Sequence, residues 1–194
     1  MTAPDLLAAL GPLLDLLRGL GVRHYVGGSI ASSAHGVARA SIDADVVAEL
    51  RPEHADRLST ALQGPYYVSE ARVRDAVARR ASFNVIHLET MLKVDVFVSR
   101  DRPFDRRAME RAQPAPSEMA GEGPLTLASA EDIVLAKLEW FRRGGEVSER
   151  QWTDVLGVLQ ASGASLDRQY LEDGSRELGV SDLLARAVEE AERR

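Results

Sequence analysis

Residues 25–47 read YVGGSIASSAHGVARASIDADVV, and the fold turns on how this stretch is built. A short strand from His24 to Val26 runs into Gly27-Gly28-Ser29. Residues 29–35 then read as a helix that ends at Gly36. Glycines at a strand-to-helix turn allow close backbone approach. The new helix presents unpaired N–H groups at its positive end. Together they make a phosphate cradle at Gly28, with the Ser29 hydroxyl as an added donor. A simpler role for Ser29 is helix N-cap.

Thirteen residues separate Ser29 from Asp43, which opens the Asp-Ala-Asp of a strand expected over 42–48. Side chains two apart in a strand share a face, so Asp43 and Asp45 project together while Ile42, Ala44 and Val46 fill the other side. Two adjacent carboxylates repel, and a cation between them relieves the repulsion. Magnesium suits the pair, because it takes one or two carboxylates and completes its shell with phosphate oxygens and water. Arg39, between the cradle and the acids, could meet phosphate oxygens bidentately. His35, before a glycine at a helix end, is explained by the helix dipole.

Further along, SFNVIHLE (82–89) and LKVDVFV (92–98) read as two strands of a hairpin joined by Thr90-Met91. In the second, Leu92, Val94, Val96 and Val98 alternate, which puts Asp95 on the other face with Lys93 and Phe97. If this strand neighbours the Asp-Ala-Asp strand, three carboxylates converge beside the Gly-Ser turn. That arrangement suits a two-metal phosphoryl-type transfer.

The rest of the chain frames these elements. Residues 3–20 repeat leucine at helical spacing; with Asp5, Asp15 and Arg18 and no basic leader, they read as a helix rather than a signal peptide. Helices are expected at 53–62 and 70–80, with a short strand at 66–68 between them. QPAPSEMAGEGP (113–124) is loop-like and marks a boundary, after which residues 130–143, 148–160, 166–178 and 181–193 all read as helices. The fold class expected is α+β: a mixed sheet flanked by helices over 1–125, then a helical bundle over 126–194. The 194 residues, 45% apolar and 28% charged, suffice for a buried core without staples. No apolar run approaches the roughly 18 residues of a membrane span. The lack of cysteine excludes disulfides and thiolate chemistry and fits a cytoplasmic protein.

Charge is unevenly spread. Lys93 and Lys137 are the only lysines; the other 22 basic residues are arginines. The net charge is −6, yet the stretch from Arg72 to Arg111 carries a local +4. A basic segment in an acidic protein points toward a polyanionic partner, or else to solvated helix faces.

A Gly-Ser turn, a short spacer, a D-x-D strand and a later strand Asp resemble the nucleotidyltransferase superfamily of polymerase-β type, over roughly residues 22–98. The resemblance implies that an acceptor attacks the α-phosphate of a nucleoside triphosphate and pyrophosphate leaves. By position, Asp43, Asp45 and Asp95 would hold magnesium or manganese, Asp95 would help ligate or deprotonate the acceptor, and Gly28 and Ser29 would hold the triphosphate. EDIVLAKLEWFRRGGEVSERQWTDVLGVL (131–159) resembles the helical region of the AbiEii-like branch, which includes bacterial toxins. There a helix lysine and a later acid complete the nucleotide site, which maps to Lys137 and Asp154.

Helical geometry tests the lysine separately. At 100° per residue from Ile133, Lys137 falls at about 40°, inside the apolar stripe of Phe141, Val134 and Leu138, with Asp132, Glu139 and Arg143 opposite. A lysine on a buried face needs an anionic partner. Asp154 sits at the margin of the Trp152, Val155, Leu156, Leu159 stripe, where a solvated position is equally consistent. Trp140, Phe141 and Trp152 have core spacing. The function expected is transfer of a nucleoside monophosphate to an RNA end or a partner protein, with a toxin–antitoxin role by analogy. The rivals are antibiotic modification at a small-molecule acceptor, and a non-catalytic binding module of the same fold.

Overall fold

The computed structural model describes residues 3–36, 43–116, 119 and 124–193. Arg39 and Ile42 lie outside the described residues. Helix α1 (Ala3–Gly19) leads into β1 (His24–Val26), α2 (Gly28–His35) and β2 (Asp43–Ala48). There follow α3 (Pro52–Leu62), β3 (Tyr66–Tyr67), α4 (Glu70–Arg79), β4 (Ser82–His87) and β5 (Lys93–Val98). Helix α5 (Pro103–Arg111), β6 (Gln113–Pro114) and β7 (Thr126–Leu127) complete the sheet region. The back half is α6 (Ala130–Arg143), α7 (Glu149–Ser162), α8 (Arg168–Leu178) and α9 (Ser181–Arg193).

Among the described residues the strands form one mixed sheet in the order β3-β4-β5-β2-β1-β7-β6. The hairpin expected from 82–98 is present, with β4 antiparallel to β5. Strands β2 and β5 are parallel neighbours over their full length, with Asp43 opposite Lys93 and Asp45 opposite Asp95. Both strands alternate strictly between buried and half-buried positions. Ala44, Val46, Ala48, Val94, Val96 and Val98 are the buried set. Helix α1 packs against both strands, α4 covers β4, and α3 packs on α1 and α4. The Tyr66 hydroxyl donates to the Ala9 carbonyl at 2.7 Å, tying the sheet edge to α1.

Strand β7, just past the boundary expected at residue 125, pairs with β1, so the chain crosses back into the sheet before the helical half begins. Helix α2 packs against β2 on one side and α6 and α7 on the other. At its end, a Cβ on Gly36 would lie 3.0 Å from the backbone of Gly157 and Val158, so these backbones approach as closely as glycine permits. Helix α5 was not anticipated, although Pro103 at its start and Asp105 in its first turn are ordinary helix-start signals.

Candidate active site

Two strands and one turn build the site. Because β2 and β5 run parallel and in register, the carboxylates of Asp45 and Asp95 stand side by side on one face, one strand spacing of about 4.8 Å apart at the backbone. The turn before α2 comes up against them: the Gly27 N–H donates to the Asp45 carbonyl at 2.9 Å. Gly28 has φ +54, and a Cβ there would fall 1.6 Å from Asp45 Oδ2. Only glycine fits, and the carboxylate fills the space it leaves. Ser29 lies inside the first turn of α2, which is capped at Gly27, so Ser29 is not the N-cap. It is buried, with its hydroxyl 3.5 Å from the Asp43 carbonyl oxygen.

Burial holds the Asp45 carboxyl above the usual carboxylate range; Asp95 and Asp43 push it the same way, against Lys137 and Lys93. The Lys93 ammonium lies over the remaining two acids. Its Nζ is 2.8 Å from Asp95 Oδ2 and 3.8 Å from Asp43 Oδ1. That hydrogen bond to Asp95 raises the Lys93 pKa. The pairing of Lys93 with Asp43 depends on cross-strand register, and alternation within one strand does not reveal it.

The opposite wall comes from α6 and α7. Lys137 is buried, as its place in the apolar stripe requires, and its Nζ donates to Asp154 Oδ2 at 2.8 Å and to Gln151 Oε1 at 3.3 Å. The Asp154 side chain is 7% exposed. The solvated alternative for Asp154 is therefore wrong: its helix margin faces Lys137. Gln151, in the first turn of α7, went unrecognised as a partner because its local role is to close the Ser148 cap.

Gly28, Ser29, Asp43, Asp45, Lys137 and Asp154 all line one cleft of about 630 Å³ between sheet and helices. Asp95 stands next to Asp45 on the adjoining strand. Trp140 departs from the expected core position. It is 46% exposed, lines the cleft, and meets the Phe97 ring edge-on at 5.9 Å between centroids. The Arg143 guanidinium lies over the Trp140 ring, 5.6 Å from its centroid. Phe141 and Trp152 do pack, 5.2 Å apart.

Asp132, expected on the outer face of its helix, is buried because α8 covers that face. Its carboxylate accepts from the Ser129 and Tyr170 hydroxyls, both at 2.6 Å. His35 bonds the Ala128 carbonyl at 2.8 Å and links α2 to the chain after β7, a structural role. No helix among the described residues is long and apolar enough to cross a membrane.

No family model matches this chain, and no curated protein matches it. Solved structures do. The solution structure of the antibiotic-resistance factor ANT(2'')-Ia matches with a TM-score of 0.57 and 13% identity, covering 100% of both chains. ANT(2'')-Ia in complex with adenylyl-2''-tobramycin matches at 0.57 and 14%, over 91% of this chain and 97% of that one. A nucleotidyltransferase-like antigenic protein from Paracoccidioides brasiliensis matches at 0.51 and 15%, over 95% and 89%. At these identities the likeness is one of architecture, and it makes the α+β fold of this chain a nucleotidyltransferase fold.

Proposed function

We propose that the protein is a magnesium-dependent nucleotidyltransferase. The observation that carries this reading is the placement of Asp43, Asp45 and Asp95 on one sheet face, in cross-strand register, against a glycine turn into which Asp45 fits. The donor set suits a hard divalent cation, magnesium or manganese, because every ligand atom it offers is a carboxylate oxygen. Among the described residues no three acidic or histidine side chains form a ready-made cage. Magnesium does not need one when substrate phosphates complete its shell. Asp43 and Asp45 would hold it, and when bound it would neutralise charge on the triphosphate.

The chain's own residues then have separate roles. The Gly27–Gly28 turn and the Ser29 hydroxyl seat the triphosphate at the start of α2. Lys137, held from behind by Asp154 and Gln151, offers its ammonium to phosphate oxygens from the opposite wall. Asp95 faces the acceptor and takes its proton. The acceptor oxygen bonds to the α-phosphorus, the bond from that phosphorus to the oxygen bridging to the β-phosphate breaks, and pyrophosphate carries that electron pair away.

An RNA end is the acceptor this reading favours. Arg80, Arg100, Arg143 and Arg150 line the cleft, and two of them come from the basic 72–111 segment. Arginines bind phosphates bidentately, and exposed Trp140 offers a face on which a base can stack. A toxin–antitoxin role goes with this acceptor by the AbiEii-like resemblance alone. An antibiotic acceptor is the second reading. It is favoured by the match to ANT(2'')-Ia bound to adenylyl-2''-tobramycin and by a cleft within the usual range for a drug-sized ligand.

Incubation with each α-32P-labelled NTP and magnesium, alongside total RNA, lysate protein and an antibiotic panel, separates these readings. Label is expected on RNA. Label on an antibiotic transfers the assignment to the second reading, and growth arrest against drug resistance in an expressing strain makes the same distinction in cells. No label on any acceptor contradicts the enzyme reading and favours a binding module.

A further inference from the structure

Three carboxylates beside a phosphate seat suggest two divalent ions, but the structure already places a cation among them. Lys93 stands opposite Asp43 across the β2–β5 register and two residues before Asp95 on its own strand. Both relations put its side chain on the acidic face, since alternate strand residues share a face. Its Nζ hydrogen-bonds Asp95 Oδ2 at 2.8 Å and lies 3.8 Å from Asp43 Oδ1. An ion shared by these two acids would have to occupy the same space.

We propose that the Lys93 ammonium permanently replaces the acceptor-side metal ion, so that the site works with one divalent cation, held by Asp43 and Asp45. The inference rests on the nucleotidyltransferase reading and deepens it. Charge supports it. Lys137 is paired with Asp154, and Lys93 is the ammonium within ion-pair distance of Asp95 and Asp43. Three carboxylates and one ammonium leave two negative charges, which a single divalent ion balances before the triphosphate enters.

The residue type supports it too. In a chain with 22 arginines and two lysines, this position carries the compact, three-donor ammonium. A planar guanidinium would spread its charge over a wider fork. Asp45 is fitted against Gly28 and lines the cleft, while Lys93 pairs with the other two acids. Lys93 thus holds Asp95 in place and supplies positive charge where the acceptor oxygen approaches, without an exchangeable ion.

Manganese titration in the presence of a non-hydrolysable NTP analogue, followed by electron paramagnetic resonance, counts the ions bound in the site. The intact protein is expected to bind one Mn2+ per chain, Lys93→Met two, and Lys93→Arg one. Two ions in the intact protein, or one ion in a Lys93→Met protein whose circular dichroism matches the parent, overturns the role of Lys93 alone. The wild-type count stands even if a variant fails to fold. No bound manganese in either protein overturns the metal site itself, and the inference with it.

Discussion

At the scale of single residues, Gly28 and Asp45 are one unit. Gly28 combines a left-handed φ with a contact that leaves no room for a methyl group. Gly28→Ala must therefore move either the turn or the carboxylate, and a shift of about 1 Å in a reacting group costs on the order of 100-fold in rate. We expect that loss in a transfer assay, with only a modest fall in melting temperature. Asp45 shows the cost of holding the site ready. Because its carboxyl is held above the ordinary range, the folded chain favours its protonated form. That contribution to stability is complete below the unfolded pKa and is lost as pH rises through the folded value. Asp45→Asn removes the penalty at neutral pH. We expect it to melt at a higher temperature than the parent at pH 7 without metal. The gain should shrink as the pH falls and the parent carboxyl takes up its proton, and activity should be lost throughout.

At the scale of elements, the pair Lys137 and Asp154 joins α6 to α7 in the wall of the cleft. Removing one member of a buried pair strands the other charge, at a cost of about 3–5 kcal/mol, whereas apolar replacement of both is often neutral. Lys137→Met should therefore lower the melting temperature strongly in thermal denaturation, and Lys137→Met with Asp154→Leu should recover most of it. Neither protein should recover transfer activity. The elements also show what sequence reading reaches. Strong local periods were legible: the alternation of β2 and β5, and the buried angle of Lys137. What depended on a partner element was not. Trp140 follows the core period yet emerges at the cleft, where it meets Phe97 of β5. Asp132 follows the outer period yet is buried under α8. Asp154 has an ambiguous angle that is settled by a lysine on another helix, and Lys93 owes its place over Asp43 to strand pairing.

At the scale of the whole molecule, sheet and bundle depend on each other. Strand β7 belongs to the chain after residue 125 yet pairs with β1, and α2 is packed between the sheet and α6–α7. We expect residues 1–125 expressed alone to lose the cooperative thermal transition seen by circular dichroism, because Val26, Ile30 and Ala31 would be exposed. The α+β class was legible from the order of elements along the chain. The neighbouring of β2 and β5, which gathers the three acids, came from the resemblance and not from any local pattern.

On the proposed function, these acids and the glycine turn bind a metal–triphosphate. Calorimetric titration with each of the four NTPs, with and without magnesium, tests this without knowledge of the acceptor. The account predicts magnesium-dependent binding of at least one NTP to the intact chain and its loss in the double variant Asp43→Asn, Asp45→Asn. Equal binding by that folded variant, or no binding of any NTP to the intact chain, would contradict it.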